Sequence, residues 1–168
     1  MSAGAELAIA PYVERDEDEL LAAFAAVVEE GGGYPQAPPV DREGFRAVWV
    51  EPAVSVQVAR VGGELAGGYY LKPNFPGRAA HIANAGYLVV AGMRGRGIGE
   101  ALVVHSLAEA RRQGFDALMF NLVFESNPAG RLYERLGFRR IGLIPDAVEG
   151  ESARIYWRSL SDQPAEGV

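Results

Sequence analysis

The chain reads as a single α/β domain of the α+β kind, with one mixed, mostly antiparallel sheet of about six or seven strands and helices on both faces. Three observations predict it. Strand-like runs outnumber helical ones, and Gly62-Gly63 joins two of them by hairpin turn chemistry. After Val90 the pattern changes from hairpins to alternating helices and strands. A length of 168 residues with 49% apolar and 23% charged residues suits one compact domain with its own core.

Residues 6–13 read as a first strand. The acidic cluster Glu14, Asp16, Glu17, Asp18 and Glu19 then charges the start of a helix reaching about residue 30 and ending at Gly31-Gly32-Gly33. Residues 34–39 carry too much Pro to form an element, and Tyr34 is their obvious contact group: a pocket roof or a plain connector. Asp41 is placed to cap a short helix that buries Phe45, Val48 and Trp49. A hairpin follows over residues 54–61 and 64–71, then a turn at 72–77 and a β-rich stretch at 79–90. Next come a helix at 97–113, a strand at 117–124, a helix at 128–136, and strands near 138–144 and 153–160. The domain is read as 1–168 with its core at about 6–160, and residues 161–168 as a frayed tail.

A formal charge of −6 repels polyanions, so nucleic acid and acidic membrane are poor partners. The charge is uneven: residues 1–90 carry 6 bases and 12 acids, residues 91–140 carry 8 and 5. All bases but Lys72 are Arg, which suits bidentate anion recognition and equally follows from a GC-rich genome. Zero Cys excludes disulfides and thiolate chemistry, and two His make a metal site a poor expectation. The opening residues lack a signal peptide's basic start and apolar core, and the longest apolar run, 20–28, is too short to span a bilayer. A cytoplasmic protein is expected.

At Leu88-Val89-Val90-Ala91-Gly92-Met93-Arg94-Gly95-Arg96-Gly97-Ile98-Gly99 a strand runs into a glycine-rich turn, and the turn into a helix. Glycines let backbone N–H groups approach an anion, the helix start favours negative charge, and two Arg lie alongside. No Gly-Lys-Ser/Thr follows, so this is not a P-loop. The glycines sit after a late strand, so it is not a dinucleotide fingerprint either. Some thirty residues on stands Asn127-Pro128-Ala129-Gly130-Arg131-Leu132-Tyr133-Glu134-Arg135-Leu136-Gly137-Phe138.

Arg94-x-x-Gly97-x-Gly99 after a strand resembles the acetyl-CoA pyrophosphate loop of the GCN5-related N-acetyltransferase (GNAT) superfamily. The later segment resembles its second signature, an Asn before a short helix ending in Leu-Tyr-x-x-x-Gly-Phe. The resemblance covers about residues 6–160. It implies a sheet splayed between its fourth and fifth strands, acetyl-CoA as cosubstrate, and dimers as a common state. The implied cofactor contacts are Tyr87, Leu88, Val89, Arg94, Gly95, Arg96, Gly97, Ile98, Gly99, Glu100 and Asn127. Tyr133 stands six positions after Asn127 where the family commonly has seven, which puts their relative placement in doubt.

Acetyl transfer needs a neutral amine, a polarised thioester carbonyl and a proton for the leaving thiolate. The resemblance assigns the carbonyl to backbone N–H groups at Tyr87 to Val89 and the proton to Tyr133, whose reference pKa near 10 lies above a thiol's near 8.5. Tyr133 equally reads as an amphipathic helix residue, and Asn127 before Pro128 as a helix cap. No carboxylate stands where family members often keep a base; Glu125 could act through water, and His81 and His105 read better as structural. Asn84 and Asn121 interrupt β-rich runs and each wants a partner, either within the fold or on an acceptor near Leu122 and Tyr34. The segments 71–77, 81–86 and 120–125 resemble fungal members that acetylate proline analogues such as azetidine-2-carboxylate, which implies a small amino or cyclic imino acid as acceptor. The rivals are a catalytically silent acyl-CoA-binding module and a peptide or protein acetyltransferase.

Overall fold

The computed structural model describes residues 5–161. The opening four residues and most of the expected tail, 162–168, lie outside that range. The backbone forms β1 (Leu7–Pro11), α1 (Glu17–Glu29), α2 (Arg42–Trp49), β2 (Ser55–Val61), β3 (Glu64–Pro73), β4 (Ile82–Val89), α3 (Ile98–Arg112), β5 (Ala117–Phe124), α4 (Ala129–Arg135), β6 (Arg139–Val148) and β7 (Glu151–Ser159). The strands are hydrogen-bonded in the order β1-β2-β3-β4-β5-β7-β6. β1 pairs antiparallel with β2, β5 with β7 and β7 with β6, while β4 and β5 run parallel, as a mixed and mostly antiparallel sheet requires. The parallel register covers Ile82–Asn84 against Ala117–Met119, whereas β4 continues to Val89 and β5 to Phe124.

The chain divides into two compact units, Met1–Tyr70 with Gly86–His105, and Leu71–Ala85 with Ser106–Val168.

In the first unit α1 buries Leu20, Phe24, Val27 and Val28, the helical spacing of one apolar stripe, and α2 adds Phe45 and Trp49. Phe24 packs edge-on to Tyr34 at 4.9 Å, and Trp49 edge-on to Tyr70 at 5.1 Å. Asp41 caps α2 as expected, its carboxylate accepting from Gly44 N–H at 2.8 Å. Gly62 and Gly63 both take positive φ, 58° and 88°, the backbone a two-residue hairpin turn demands.

The acidic cluster at the start of α1 is more than a solvated helix cap. Asp16 and Glu17 are buried. Asp16 accepts from Val13 N–H at 2.9 Å and from the Arg60 guanidinium at 2.9 Å. Glu17 accepts from Tyr12 O–H at 2.7 Å and from the guanidinium groups of Arg42 and Arg46. A buried carboxylate is tolerated when its lone pairs are filled this way.

The expected strand at 79–90 begins later, at Ile82, because Gly77 turns with φ 60° and residues Gly77–Ala79 close a single 3-10 turn. In the second unit β5, β7 and α4 share an aromatic core: Phe120, Phe138, Tyr133 and Tyr156 are all buried, with Phe120 stacked on Phe138 at 4.7 Å.

Two expectations follow. Burial works to raise Asp16, but the Val13 N–H and Arg60 outweigh it, and the bonds from Tyr12 and Arg42 hold Glu17 low, so both titrate below their ordinary values of 3.8 and 4.5. Their stabilisation is complete above those values and is lost as pH falls through the depressed ones, so an Arg60→Met variant should show a shallower acid limb in denaturant midpoint against pH. Second, a Cβ at Gly86 would sit 2.5 Å from the Tyr70 ring, so Gly86→Ala should cost about 1–3 kcal/mol by chemical denaturation.

Candidate active site

Within the first unit the end of β4 is fixed by its neighbours. A Cβ on Gly67 of β3 would run into the Leu88 carbonyl, so the two backbones touch where a side chain would hold them apart. Val90 N–H donates to Ala66 carbonyl at 2.9 Å, and the Tyr34 hydroxyl donates to the Tyr87 carbonyl at 2.8 Å. Tyr34, expected as an acceptor contact, thus straps the loop after α1 onto β4. Tyr70, buried beside Gly86, has its phenol pushed up to about 12 by desolvation.

From β4 the chain makes a 3-10 turn at Ala91–Met93, extends at Arg94, takes positive φ at Gly95 (75°) and Gly97 (77°), and enters α3 at Ile98. Ile98 is buried and pins the helix start. A Cβ at Gly95 or Gly97 would meet nothing within 4 Å, so these glycines serve backbone conformation and the turn is open to solvent. Gly99 is different: it lies in the helix, and a Cβ there would touch Val89 at an ordinary 3.7 Å. A helix start leaves N–H groups without intrahelical partners, so the open turn leading into α3 is a setting that accepts an anion such as a diphosphate.

The two arginines do not both face that turn freely. Arg94 donates to Glu30 at 2.8 Å, with half of each side chain exposed, a pair worth little in water and readily exchanged. Arg96 lies 3.0 Å from the Met93 sulfur, a weak acceptor. Glu100 stands exposed in the first turn of α3.

In the second unit, β5 bulges at the acceptor residues the sequence singled out. The register with β7 jumps from Phe120↔Tyr156 to Val123↔Arg154, so Asn121 and Leu122 together oppose Ile155. The bulge sets the surroundings of Asn121. Out of the regular ladder it is exposed, and its amide makes a reciprocal pair with Asn74, at 2.9 and 2.6 Å. Leu122 is half-buried. Asn84 is buried as expected, and one Nδ2 N–H is spent on the Met119 carbonyl at 3.0 Å, leaving the other N–H and Oδ1 for further bonds. The Asn74–Asn121 pair and the bond from Tyr34 to Tyr87 could not be read from the sequence, because the partners lie 47 and 53 residues apart.

Asn127 Oδ1 accepts from Ala129 N–H at 3.0 Å and its carbonyl from Gly130 N–H at 3.3 Å, so it caps α4. Pro128, with φ −64°, carries the chain into a helix that starts at Ala129. The other end is a Schellman cap: Gly137 N–H donates to Glu134 carbonyl at 3.1 Å, Phe138 N–H to Tyr133 carbonyl at 3.0 Å, and Gly137 takes φ 85°. The Phe138 and Tyr133 rings, 5.7 Å apart, supply the apolar contact that such a cap uses. Tyr-x-x-x-Gly-Phe is therefore a helix stop as well as a signature.

Tyr133 is buried, 4.5 Å from the Phe120 ring and 5.8 Å from Tyr156. Burial, with a smaller contribution from Tyr156, pushes its phenol well above the usual 10, widening the gap to a thiol and weakening it as an acid. Glu125 is exposed just past β5, its N–H bonded to Ser152 carbonyl at 3.1 Å. His81 is exposed against the Arg78 carbonyl at 3.0 Å, and His105 bonds the Tyr69 hydroxyl at 2.7 Å, both fold contacts. Among the described residues no cluster of His, Cys, Asp and Glu could hold a metal, and no helix is long and apolar enough to cross a membrane.

Fold, glycine turn and capped helix together define an acyltransferase fold, and the profile of the Acetyltransferase (GNAT) family matches residues 11–138. The chain belongs to that family. Among its relatives is the N-acetyltransferase aca1 of Schizosaccharomyces pombe, 50% identical over 84 residues, which are 49% of this chain and 40% of that protein. The chain thus spans less than half of that relative. A GCN5-related N-acetyltransferase from Kribbella flavida superposes with a TM-score of 0.85 at 33% identity, covering 91% of this chain and 97% of that one. The yncA structure from Salmonella typhimurium, solved with its cofactor acetyl-CoA, shares the fold with a TM-score of 0.82 at 17% identity, covering 98% and 99% of the two chains.

The glycines of the turn should separate by conformation. Gly95→Ala and Gly97→Ala each force an L side chain to positive φ and should cost about 1–2 kcal/mol, whereas Gly99→Ala, with normal φ and room for its methyl, should be neutral or stabilising in the same thermal melts.

Proposed function

We propose that this chain transfers the acetyl group of acetyl-CoA to the amine of a small acceptor, an amino acid or a cyclic imino acid. The observation that carries the cosubstrate is the open turn with positive φ at Gly95 and Gly97 feeding directly into α3. Arg96 and the N–H groups from Gly95 to Gly99 and Glu100 would hold the diphosphate, with Arg94 joining them by exchanging its exposed bond to Glu30. Acetyl-CoA supplies an activated thioester carbonyl.

The remaining steps belong to this chain's own groups. Backbone N–H groups along Tyr87, Leu88 and Val89 stabilise the carbonyl oxygen as it gains charge, and the strap from Tyr34 holds that backbone still. The acceptor nitrogen forms its bond to the carbonyl carbon, the carbon–sulfur bond breaks, the nitrogen loses a proton through water to Glu125 or to solvent, and the sulfur gains one. Tyr133 is the hydrogen-bond donor to the sulfur, and the thiolate takes its proton from solvent. With its phenol held above the usual value, it contributes mainly a hydrogen bond to the developing thiolate, and full proton transfer is less favourable than an unperturbed tyrosine would make it. Asn127, with Oδ1 spent on its cap, has its amide N–H groups to offer the pantetheine arm. The acceptor's polar groups fall to Asn84, to Asn121 and to the bulged backbone at Leu122. The exposed Asn74–Asn121 pair supports a small polar acceptor, since an amide pair in water exchanges its bonds at little cost. One catalytic domain spanning 1–168 and a cytoplasmic setting belong to the same reading.

The test is free-thiol release from acetyl-CoA across amino acids, cyclic imino acids, polyamines and basic peptides. Release with amino or imino acids is expected; release with peptides alone gives the activity to protein acceptors. Background rates throughout, with a thermal midpoint raised by acetyl-CoA, would mean a silent acyl-CoA-binding module. Tyr133→Phe should lower kcat about 10- to 100-fold, the loss of one hydrogen bond to a charged group, and leave the KM for acetyl-CoA unchanged.

A further inference from the structure

Lys72 is the one base of the sequence that is not Arg, and it lies half-buried near the end of β3. Its neighbours follow from the backbone. Residues 74–81 are too few for a parallel crossover, so the adjacent strands β3 and β4 run antiparallel. The Asn74 N–H donates to the Ile82 carbonyl at 2.8 Å, and counting inward by two on each strand sets Lys72 opposite Asn84. Directly opposed residues project to one face with their Cβ atoms about 5 Å apart. Asn74, two positions on and still bonded to β4, shares that face by the period of a strand. Asn74 in turn exchanges hydrogen bonds with Asn121 at the β5 bulge, and Asn84 donates to the Met119 carbonyl. Lys72 is thus gathered with three side-chain amides, each a neutral group with N–H to donate.

Charge separates this neighbourhood from the rest of the chain. The sequence carries 22 acids against 16 bases, yet residues 71–85 and 117–124 hold Lys72 and Arg78 and not one Asp or Glu. Asp116 and Glu125 stand just outside, at the two ends of β5. In a protein that is acidic in sum, the segments around the three amides are a basic island. An ammonium among amide donors, partly out of water, suits a carboxylate, which accepts from all of them in a charge-assisted bond that solvent screens less than on an open surface. A second ammonium is repelled there.

We infer that Lys72 selects the acceptor by its carboxylate, so that the site takes amino or imino acids and turns away polyamines and basic peptides. The inference rests on the acceptor placement proposed above, at Asn84, Asn121 and Leu122, and adds a charged side chain to it. A cation near the acceptor also favours the neutral form of its amine, which attack on the thioester requires.

The test runs each amino or imino acid of the acceptor panel beside the same amine without its carboxylate, for example L-azetidine-2-carboxylate beside azetidine, and reads thiol release by the whole chain. The wild type should favour the acid about tenfold or more in kcat/KM, and the preference should shrink as salt is added. Lys72→Met, which keeps the length of the stem, should raise KM for the acid about 10- to 100-fold with little change in kcat or in the KM for acetyl-CoA, and the acid's advantage over azetidine should disappear. Lys72→Arg keeps the charge and should keep most of the preference. The wild-type comparison needs no variant, so it decides the matter even where Lys72→Met does not fold. A wild type that uses azetidine as well as its acid, or a Lys72→Met that keeps the preference, overturns this inference while the small-acceptor reading stands. Release with peptides alone, or with no amine at all, removes both.

Discussion

Glycines in β3 and β4 stand where a side chain would collide with a neighbouring strand or ring, and much of the site's geometry descends from that constraint. Gly67 faces the Leu88 carbonyl, Gly68 would set a Cβ 2.8 Å from the Gln57 carbonyl of β2, and Gly86 lies under the Tyr70 ring. Where glycine removes the spacer, strands of this region seat without side-chain standoff, and a buried tyrosine covers the gap. The stretch from Gly86 to Val89, whose amides the proposed chemistry uses, is held by Tyr70, by the Tyr34 hydroxyl and by the Ala66 carbonyl just beyond it. A backbone fixed from several directions can present donors without reorganising when charge develops, which is the physical basis of catalysis by backbone amides.

The same unit invests in buried charge. Asp16 and Glu17 sit out of water at the start of α1, each fully engaged by arginines and by local donors. Since α2 supplies both Arg42 and Arg46, the first helix and the second are joined by ion pairs as well as by the contacts of Phe24 with Phe45 and Trp49. The loop between these helices begins at three glycines, yet Tyr34 fastens it both by its ring on Phe24 and by its hydroxyl on Tyr87. What reads as a flexible connector is held at one aromatic residue.

Sequence signatures in this chain carry folding information together with chemistry. Asn127 is a cap, Gly137 a left-handed stop, and Phe138 the apolar partner that closes the stop against Tyr133. Asn127 could be read as a cap from Asn-Pro alone, and Asp41 likewise, because capping depends on residues within three positions. Tyr133's burial could not, since the rings around it come from β5, from Phe138 just before β6, and from β7. That burial alters its chemistry, raising a phenol that reference values would place within easier reach of a thiolate.

By itself the sequence determined the order and type of the elements, the hairpin at Gly62-Gly63, the glycine turn before α3 and the ends of α4. All of these rest on short-range rules of backbone conformation and apolar periodicity. Tertiary structure decided the rest: that Asp16 and Glu17 are buried, that Arg94 rests on Glu30, that Asn121 is thrown out of its ladder by a bulge onto Asn74, and that Ile141, Leu143 and Ile144 are left exposed on an edge. Each depends on partners 25 to 64 residues away or on which strand lies beside which. Local periodicity carries no record of such distances, because a strand reads the same at an edge as in the middle of a sheet.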